Sequence, residues 1–333
     1  MPSNHITRRS AIGMAAAIGA SSLLTHRSAN AQQKMAIMAD YFGALMNTSV
    51  CAVGIEKGYY KTSQVEVTEL LTGGGGGTAV RNMVGGNLDY GVISTSAILS
   101  GIKSGLDIKI VHNAVRTMQD LFWVSMPNSG IKSIQDLKGK KIGFTRPKSI
   151  SETMAKWKLK QAGMDGQVTL VSLGAVGAGL SALESGGVDA ALILEPLWSA
   201  RKGRYQIAFD LAELPPMSQM VGVASGKLIK ERPEVVRALV KAWDQSVSYT
   251  YANGDDAASI ISKRYGAQTL PLDVAVSAVK SMQKIKYWTR GEIDMPGLNL
   301  MIEAMREQGE WSGPANLASM IDQSFLPADL RSA

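Results

Sequence analysis

Three histidines, His5, His26 and His112, and one cysteine, Cys51, are all the imidazole and thiol in 333 residues. A nucleophile paired with a histidine base, or a His/Cys metal centre, has few ways to be built from so small a set. His112 closes the apolar run at residues 108–111 with no nucleophile motif beside it, which suits a hydrogen-bonded core histidine. Cys51 lies among Val50, Ala52 and Val53, where a buried and inert thiol is expected. A single cysteine also excludes an intrachain disulfide. Asp89 and Asp189 each follow a Gly-rich helix end, so they read as a matched pair of junction residues rather than as the paired carboxylates of a glycosidase. No catalytic group, no metal and no cofactor is expected.

Residues suited to holding a ligand are more numerous. Gly73 to Gly77 run directly into Thr78, Ala79 and Val80. A glycine backbone there can approach a ligand closely, and free N–H groups at a helix N-terminus favour an anion. A flexible strand-to-helix connection is the plainer reading. The run is not a nucleotide loop, because no Gly-Lys-Ser/Thr completes it. Ser94, Thr95 and Ser96 offer hydroxyls and helix-terminal amides, although ordinary N-capping uses the same residues. Thr145, Arg146, Ser149 and Ser151 combine a basic side chain with hydroxyls before a helix. Arg146 suits either bidentate pairing with a carboxylate or sulfonate, or a solvated loop. Tyr41 and Phe42 at the end of one strand and Trp198 after another either sandwich a ligand across a cleft or pack at a lobe edge.

The elements that must position these residues alternate. Strand-like runs at 34–41, 64–70, 88–93 and 108–115 are separated by helical segments, and a second series follows at 140–145, 167–173 and 188–194. Such alternation predicts an α/β protein with mainly parallel sheets. The segment from Val65 through the glycines to Gly85-Gly86, Asp89 and Tyr90 to Ile93 recurs about a hundred positions later as Val168, Gly174, Gly186-Gly187, Asp189 and Ala190 to Ile193. Two lobes of one plan are therefore expected. Beyond Pro233 the pattern turns helical, with Val235, Val236, Leu239, Val240, Trp243 and Val247 on one face and further helices at 256–264, 273–284, 297–308 and 315–323. These helices are expected to pack back on the first lobe. The chain would then cross between lobes twice, near residues 120–126 and 217–224, making a hinge. Lobe 1 is expected to comprise 32–124 and 222–333, and lobe 2 125–221.

The net charge of +7 would suit nucleic acid or an anionic membrane. Its distribution argues otherwise. Residues 1–31 hold Arg8, Arg9 and Arg27 and no acid, an apolar run at 11–24, and a final Ala29-Asn30-Ala31. This is the pattern of an export signal cleaved after Ala31, and Arg8-Arg9 suits the twin-arginine type. The apolar run is shorter than the roughly 20 residues a membrane-crossing helix needs. Without those three arginines, 32 basic residues stand against 28 acidic ones, a net of +4 with no run of five like charges. Nucleic acid is not an expected partner.

The sequence resembles the periplasmic substrate-binding proteins of ABC importers in the nitrate/sulfonate/taurine group. The resemblance rests on Glu56-Lys57-Gly58-Tyr59-Tyr60-Lys61, on Gly85-Gly86-Asn87-Leu88-Asp89, on Lys132-Ser133-Ile134-Gln135-Asp136-Leu137-Lys138-Gly139-Lys140-Lys141-Ile142-Gly143, on Gly187-Val188-Asp189-Ala190-Ala191 and on Glu195-Pro196, in that order along the chain. It implies two Rossmann-like lobes of type II with a hinge, a monomer that closes on one small organic anion, and delivery of that solute in the periplasm to a membrane permease with its ATPase. It further implies ligand contacts from Tyr41, Phe42, Gly76, Gly77, Thr78, Ser94, Thr95, Thr145, Arg146 and Ser149, with Trp198 beside them. On this reading, Arg146→Ala should weaken an anionic ligand strongly. Five consecutive glycines exceed the group's usual number and would widen the pocket. A heterocycle binder of the same fold is the alternative, followed by an enzyme resembling the pyrimidine-precursor synthase of thiamine biosynthesis. That enzyme's chemistry consumes a histidine and needs iron.

Overall fold

Short, largely apolar runs form strands buried on both faces, as parallel sheets covered by helices require. Tyr90–Ser94 and Ala190–Ile193 are the clearest cases, with every residue buried. The computed structural model describes residues 32–39, 46–73 and 75–331. Tyr41, Phe42, Gly74 and residues 1–31, where an export signal is expected, lie outside the described residues.

The first part of the chain runs β1 (Gln33–Ala39), α1 (Ser49–Glu56), β2 (Val65–Thr72), α2 (Gly76–Gly85), β3 (Tyr90–Ser94), α3 (Thr95–Lys103) and β4 (Ile108–Val115). It continues as β5 (Phe122–Ser125), β6 (Lys141–Phe144), α4 (Ile150–Gln161), β7 (Thr169–Ser172), α5 (Val176–Glu184), β8 (Ala190–Ile193), α6 (Leu197–Ala200) and β9 (Gln206–Asp210). The remainder is β10 (Met220–Ser225), α7 (Gly226–Glu231), α8 (Pro233–Ala252), α9 (Gly254–Tyr265), α10 (Leu272–Lys284), α11 (Met295–Glu307) and α12 (Leu317–Met320).

Two five-stranded sheets result, in the orders β2-β1-β3-β10-β4 and β7-β6-β8-β5-β9. β1 runs parallel to β2 and β3, and β6 parallel to β7 and β8. One antiparallel strand is inserted in each sheet, β10 between β3 and β4, and β5 between β8 and β9. These two strands are the lobe crossings. Stretches expected as connections are hydrogen-bonded strands, because an incoming antiparallel strand can pair directly without a crossover helix. Sheet membership accordingly changes at Phe122 and Met220, a few residues before the expected divisions at 124/125 and 221/222.

Helix α8 buries the predicted stripe of Val235, Val236, Leu239, Val240, Trp243 and Val247. It packs on α1 and β2, so the C-terminal helices cover the first lobe as expected. Two of them also reach the second lobe, α11 against α4 and α10 against α6. The helix expected at 315–323 is shorter, ending at Met320 before a 3-10 turn at Gln323–Phe325.

Candidate functional site

The loops leaving the carboxyl ends of the parallel strands face one cleft between the two sheets, the usual place for a ligand in an open α/β sheet. The cleft contains a cavity of about 30 Å³. That is space for about two ordered waters. Its polar lining is Asn47, Gly76, Thr145, Ser149, Ser151 and Gln219, and its apolar lining is Leu121, Ile150, Val176, Leu192, Leu194 and Met220. None of these described residues carries a charge.

On the second lobe, three hydroxyls meet at the N-terminus of α4. Ser151 Oγ lies 2.8 Å from Thr145 Oγ1 and 2.9 Å from Ser149 Oγ, and accepts from Thr145 N at 3.1 Å. Ser149 caps the helix by accepting from Glu152 N at 3.3 Å. The turn into the cap is closed from below, with Lys148 in the left-handed region at φ 61 and its N–H donating to Glu152 Oε2 at 2.6 Å. A non-glycine residue there costs about 1 kcal/mol or more, and the local hydrogen bonds hold it. The result is a rigid cluster of exchangeable donors beside the positive end of a helix.

On the first lobe, Gly76 opens α2 directly against α3. A Cβ at Gly76 would stand 1.9 Å from Ser94 Oγ, so only glycine fits. Gly75, the N-cap, has φ 141, a conformation open to glycine alone. Gly73 is also closely packed, since a Cβ there would stand 2.4 Å from Ala79 Cα. Thr95 N donates to Gln219 O at 3.0 Å, which ties the start of α3 to the crossing strand. Thr95 Oγ1 and Ser96 Oγ are fully buried and have no hydrogen-bond partner, an arrangement that costs about 1–3 kcal/mol per group.

Of the predicted ligand residues, Gly76, Thr145 and Ser149 line the cavity. Ser94 adjoins Gly76, and Thr95 adjoins Gln219. Four others lie elsewhere. Gly77 is turned to the lobe boundary, with its Cβ position 3.8 Å from Pro147 O. Thr78 Oγ1 accepts from Arg81 at 3.0 Å. Arg146 does not reach the cavity, because its Nε donates to Gly174 O at 2.9 Å and pins the loop after β7. Trp198 packs edge-on against Phe122 at 5.2 Å. Tyr41 and Phe42 lie outside the described residues. Sequence reasoning missed Asn47, Ser151 as a central group, and Gln219. For Gln219 no signal existed, since residues 217–224 were expected only as a hinge crossing, with no strand and no polar partner in sight.

The two reactive side chains are spent on packing. Cys51 is fully buried beside Tyr60 Oη at 3.7 Å, and burial pushes its thiol up to about 12. His112 Nδ1 donates to Asn113 O at 2.8 Å, so Nε2 accepts from Tyr90 Oη at 2.7 Å. Burial lowers this imidazole to about 4, which keeps it neutral. Among the described residues, no three of His, Cys, Asp and Glu come together as a metal site, and no helix is long and apolar enough to cross a membrane.

At the base of the cleft the crossings are fastened by a buried carboxyl. Asp120 Oδ1 accepts from Gln219 Nε2 at 2.7 Å, and Oδ2 lies 2.9 Å from Tyr287 Oη. Burial raises Asp120 to about 7, against the pull of those hydrogen bonds.

Two five-stranded α/β lobes that exchange an antiparallel strand and face one cleft make the periplasmic binding protein fold. The likeness to solved structures agrees with this, for example a TM-score of 0.71 to the alkanesulfonate-binding protein SsuA of Xanthomonas axonopodis pv. citri bound to MOPS, at 14% identity over 90% of this chain and 98% of that one. The chain belongs to the NMT1/THI5-like family, whose model matches residues 46–257. A Brucella abortus (strain 2308) protein assigned by inference as a binding protein is 27% identical over 76% of this chain and 77% of its own length. A Bacillus subtilis (strain 168) protein assigned by inference as an aliphatic sulfonates-binding protein is 25% identical over 53% of each chain. The same fold also includes an enzyme, the desulfurization enzyme DszB, at a TM-score of 0.63 and 16% identity over 87% of this chain and 97% of that one.

Proposed function

We propose that this protein is the solute-binding component of an ABC importer, exported to the periplasm with its signal cleaved after Ala31 and working there as a monomer. It holds a small organic anion, a sulfonate or carboxylate, between its lobes and delivers it to a membrane permease. The observation that carries this reading is the cleft lining. Hydroxyls at the N-terminus of α4, with the N-terminus of α2 across the cleft, suit an anionic head, and Leu121, Ile150, Val176, Leu192, Leu194 and Met220 suit an aliphatic body. The Bacillus subtilis relative's assignment to aliphatic sulfonates supports the same choice. Binding without chemistry fits a thiol that is protonated and enclosed and an imidazole locked in the core.

The uncharged lining also favours a second reading, a neutral heterocycle. A thermal-shift panel on residues 32–333 with alkanesulfonates, aliphatic carboxylates, pyrimidines and nitrate separates the two. A ligand at about 100 times its dissociation constant adds roughly 2.7 kcal/mol to stability. Alkanesulfonates or carboxylates should shift the melt most. Stabilisation by pyrimidines alone would replace the anion reading, and a panel with no response would remove both.

A further inference from the structure

The hydrogen atoms in the hinge network can be counted. Its side-chain donors are the two N–H bonds of Gln219 and the one O–H of Tyr287, besides the N–H of Asp120 itself, which serves its own carboxyl with its own hydrogen. Its acceptors are Thr117 O, both Asp120 oxygens and Gln219 Oε1. Gln219 Nε2 spends its hydrogens on Thr117 O at 3.0 Å and Asp120 Oδ1 at 2.7 Å. Flipping that amide would set its carbonyl against two acceptors, so the orientation is fixed. Tyr287 Oη stands 2.9 Å from both Asp120 Oδ2 and Gln219 Oε1, with a single hydrogen to serve them. One hydrogen is missing. A proton on Asp120 Oδ2 supplies it: Asp120 donates to Tyr287, Tyr287 to Gln219, and Gln219 to Asp120, with one hydrogen in every bond.

We propose that the Asp120–Gln219–Tyr287 ring is complete only when Asp120 is protonated, which makes Asp120 a proton-sensitive positioning residue for Gln219 in the cleft wall. Asp120 is 3% exposed. The charged group acting on it is Glu195, also buried, whose like charge opposes ionisation. Glu195 is occupied with Ser199 N and Oγ. Arg116 contributes backbone here, its N–H to Tyr287 O and its carbonyl to Met217 N, while its charge acts on Tyr251. Burial holding Asp120 near neutrality agrees with this count. The ring joins the approach to β5, the approach to β10 and the segment after α10, so both crossings and the C-terminal region share one proton.

The test needs no ligand, so it stands apart from the identity of the solute. Carbon-13 NMR of aspartate-labelled protein across about pH 5 to 9 should show one carboxyl titrating near neutrality, and that signal should vanish in Asp120→Asn. A wild-type spectrum in which every aspartate has finished titrating by about pH 5 would overturn the proposal. Thermal melts give an independent reading. An asparagine can donate to Tyr287 and accept from Gln219, copying the protonated acid, so Asp120→Asn should match or exceed wild type above about pH 7. In wild type, the raised Asp120 binds a proton in the folded state that the unfolded chain does not, so its contribution falls as pH rises from the ordinary carboxyl value of 3.8 to about 7. His112 has the opposite sign, because the unfolded chain takes up a proton between about 4 and 6.5 that the core refuses. Asp120→Asn removes the first effect and leaves the second, so its stability should rise with pH over that lower window. Destabilisation by asparagine at every pH, as loss of an ionised acceptor would give, sinks the assignment.

Discussion

At the N-terminus of α4, Ser151 Oγ touches Thr145 N, Thr145 Oγ1 and Ser149 Oγ within 3.1 Å. A helical serine at the second position would ordinarily point to solvent or back to the chain, and here it organises the polar wall of the cleft. Arg146, the more conspicuous residue by charge, is committed to Gly174 O. The two make opposite predictions for the alkanesulfonate that binds best in the panel. Ser151→Ala removes the hub and should weaken binding about tenfold, equivalent to about 1.4 kcal/mol. Arg146→Ala should change it less than about threefold, well inside the net value of one hydrogen bond. Isothermal titration of both variants decides the matter. A large loss confined to Arg146→Ala would restore the expectation from sequence that the arginine meets the anion.

Between strands β4 and β10, shape matters more than polarity. His112 is stacked between Tyr90 at 6.1 Å and Trp243 at 5.1 Å, and its ring lies across Gly222 of β10. A Cβ on Gly222 would stand 1.8 Å from His112 Nε2. Since Tyr90 and Asn113 fix both ring nitrogens, the ring has nowhere to move. Gly222→Ala should cost about 3 kcal/mol, the upper end for overpacking, read as a lowered urea midpoint with the slope unchanged. A loss below about 1 kcal/mol would mean that β10 can shift away. Elements of this kind divide the legible from the illegible. Val65 to Thr72 and Val235 to Val247 carry their periodicity locally, so strand and helix follow from neighbours in sequence. The lone central histidine was likewise readable as a core group from the apolar run it closes. β5 and β10 were not, because Phe122 and Met220 become strands through partners about 70 and 125 residues away, at Ile193 and Ser94. The same distance hid the site. Gly76, Thr145 and Ser149 lie at or just after the ends of predicted strands and line the cavity, whereas Gln219 gains its place from Asp120 and Tyr287, which approach only when the whole chain has folded.

The two lobes are joined a second time away from the crossings, where α11 meets α4. Gln308 Nε2 donates to Thr153 O at 3.0 Å and to Ala304 O at 2.7 Å, and Lys160 Nζ donates to Glu307 O at 3.0 Å. The contact is imperfect. Gln308 Oε1 and the indole nitrogens of Trp157 on α4 and Trp311 after α11 are buried without partners. Each such group costs about 1–3 kcal/mol, which offsets the bonds that hold the lobes together. Glu310 adds to the strain, since burial and the nearby Glu152 both raise its carboxyl. A contact so balanced sets a small free-energy difference between closed and open lobes, and a cavity of about 30 Å³ is too small to admit an organic acid unless the lobes part. Lys160→Met removes the cross-lobe bond to Glu307 O while keeping the apolar stem and leaving the buried groups of the contact untouched. With a net hydrogen bond worth about 0.5–1.5 kcal/mol, the open fraction of the ligand-free protein should grow roughly two- to tenfold. Small-angle scattering should record this as a larger radius of gyration for the ligand-free variant than for the ligand-free wild type. An unchanged radius without ligand would show that closure is decided at the crossings alone, and that the contact between α11 and α4 only follows it.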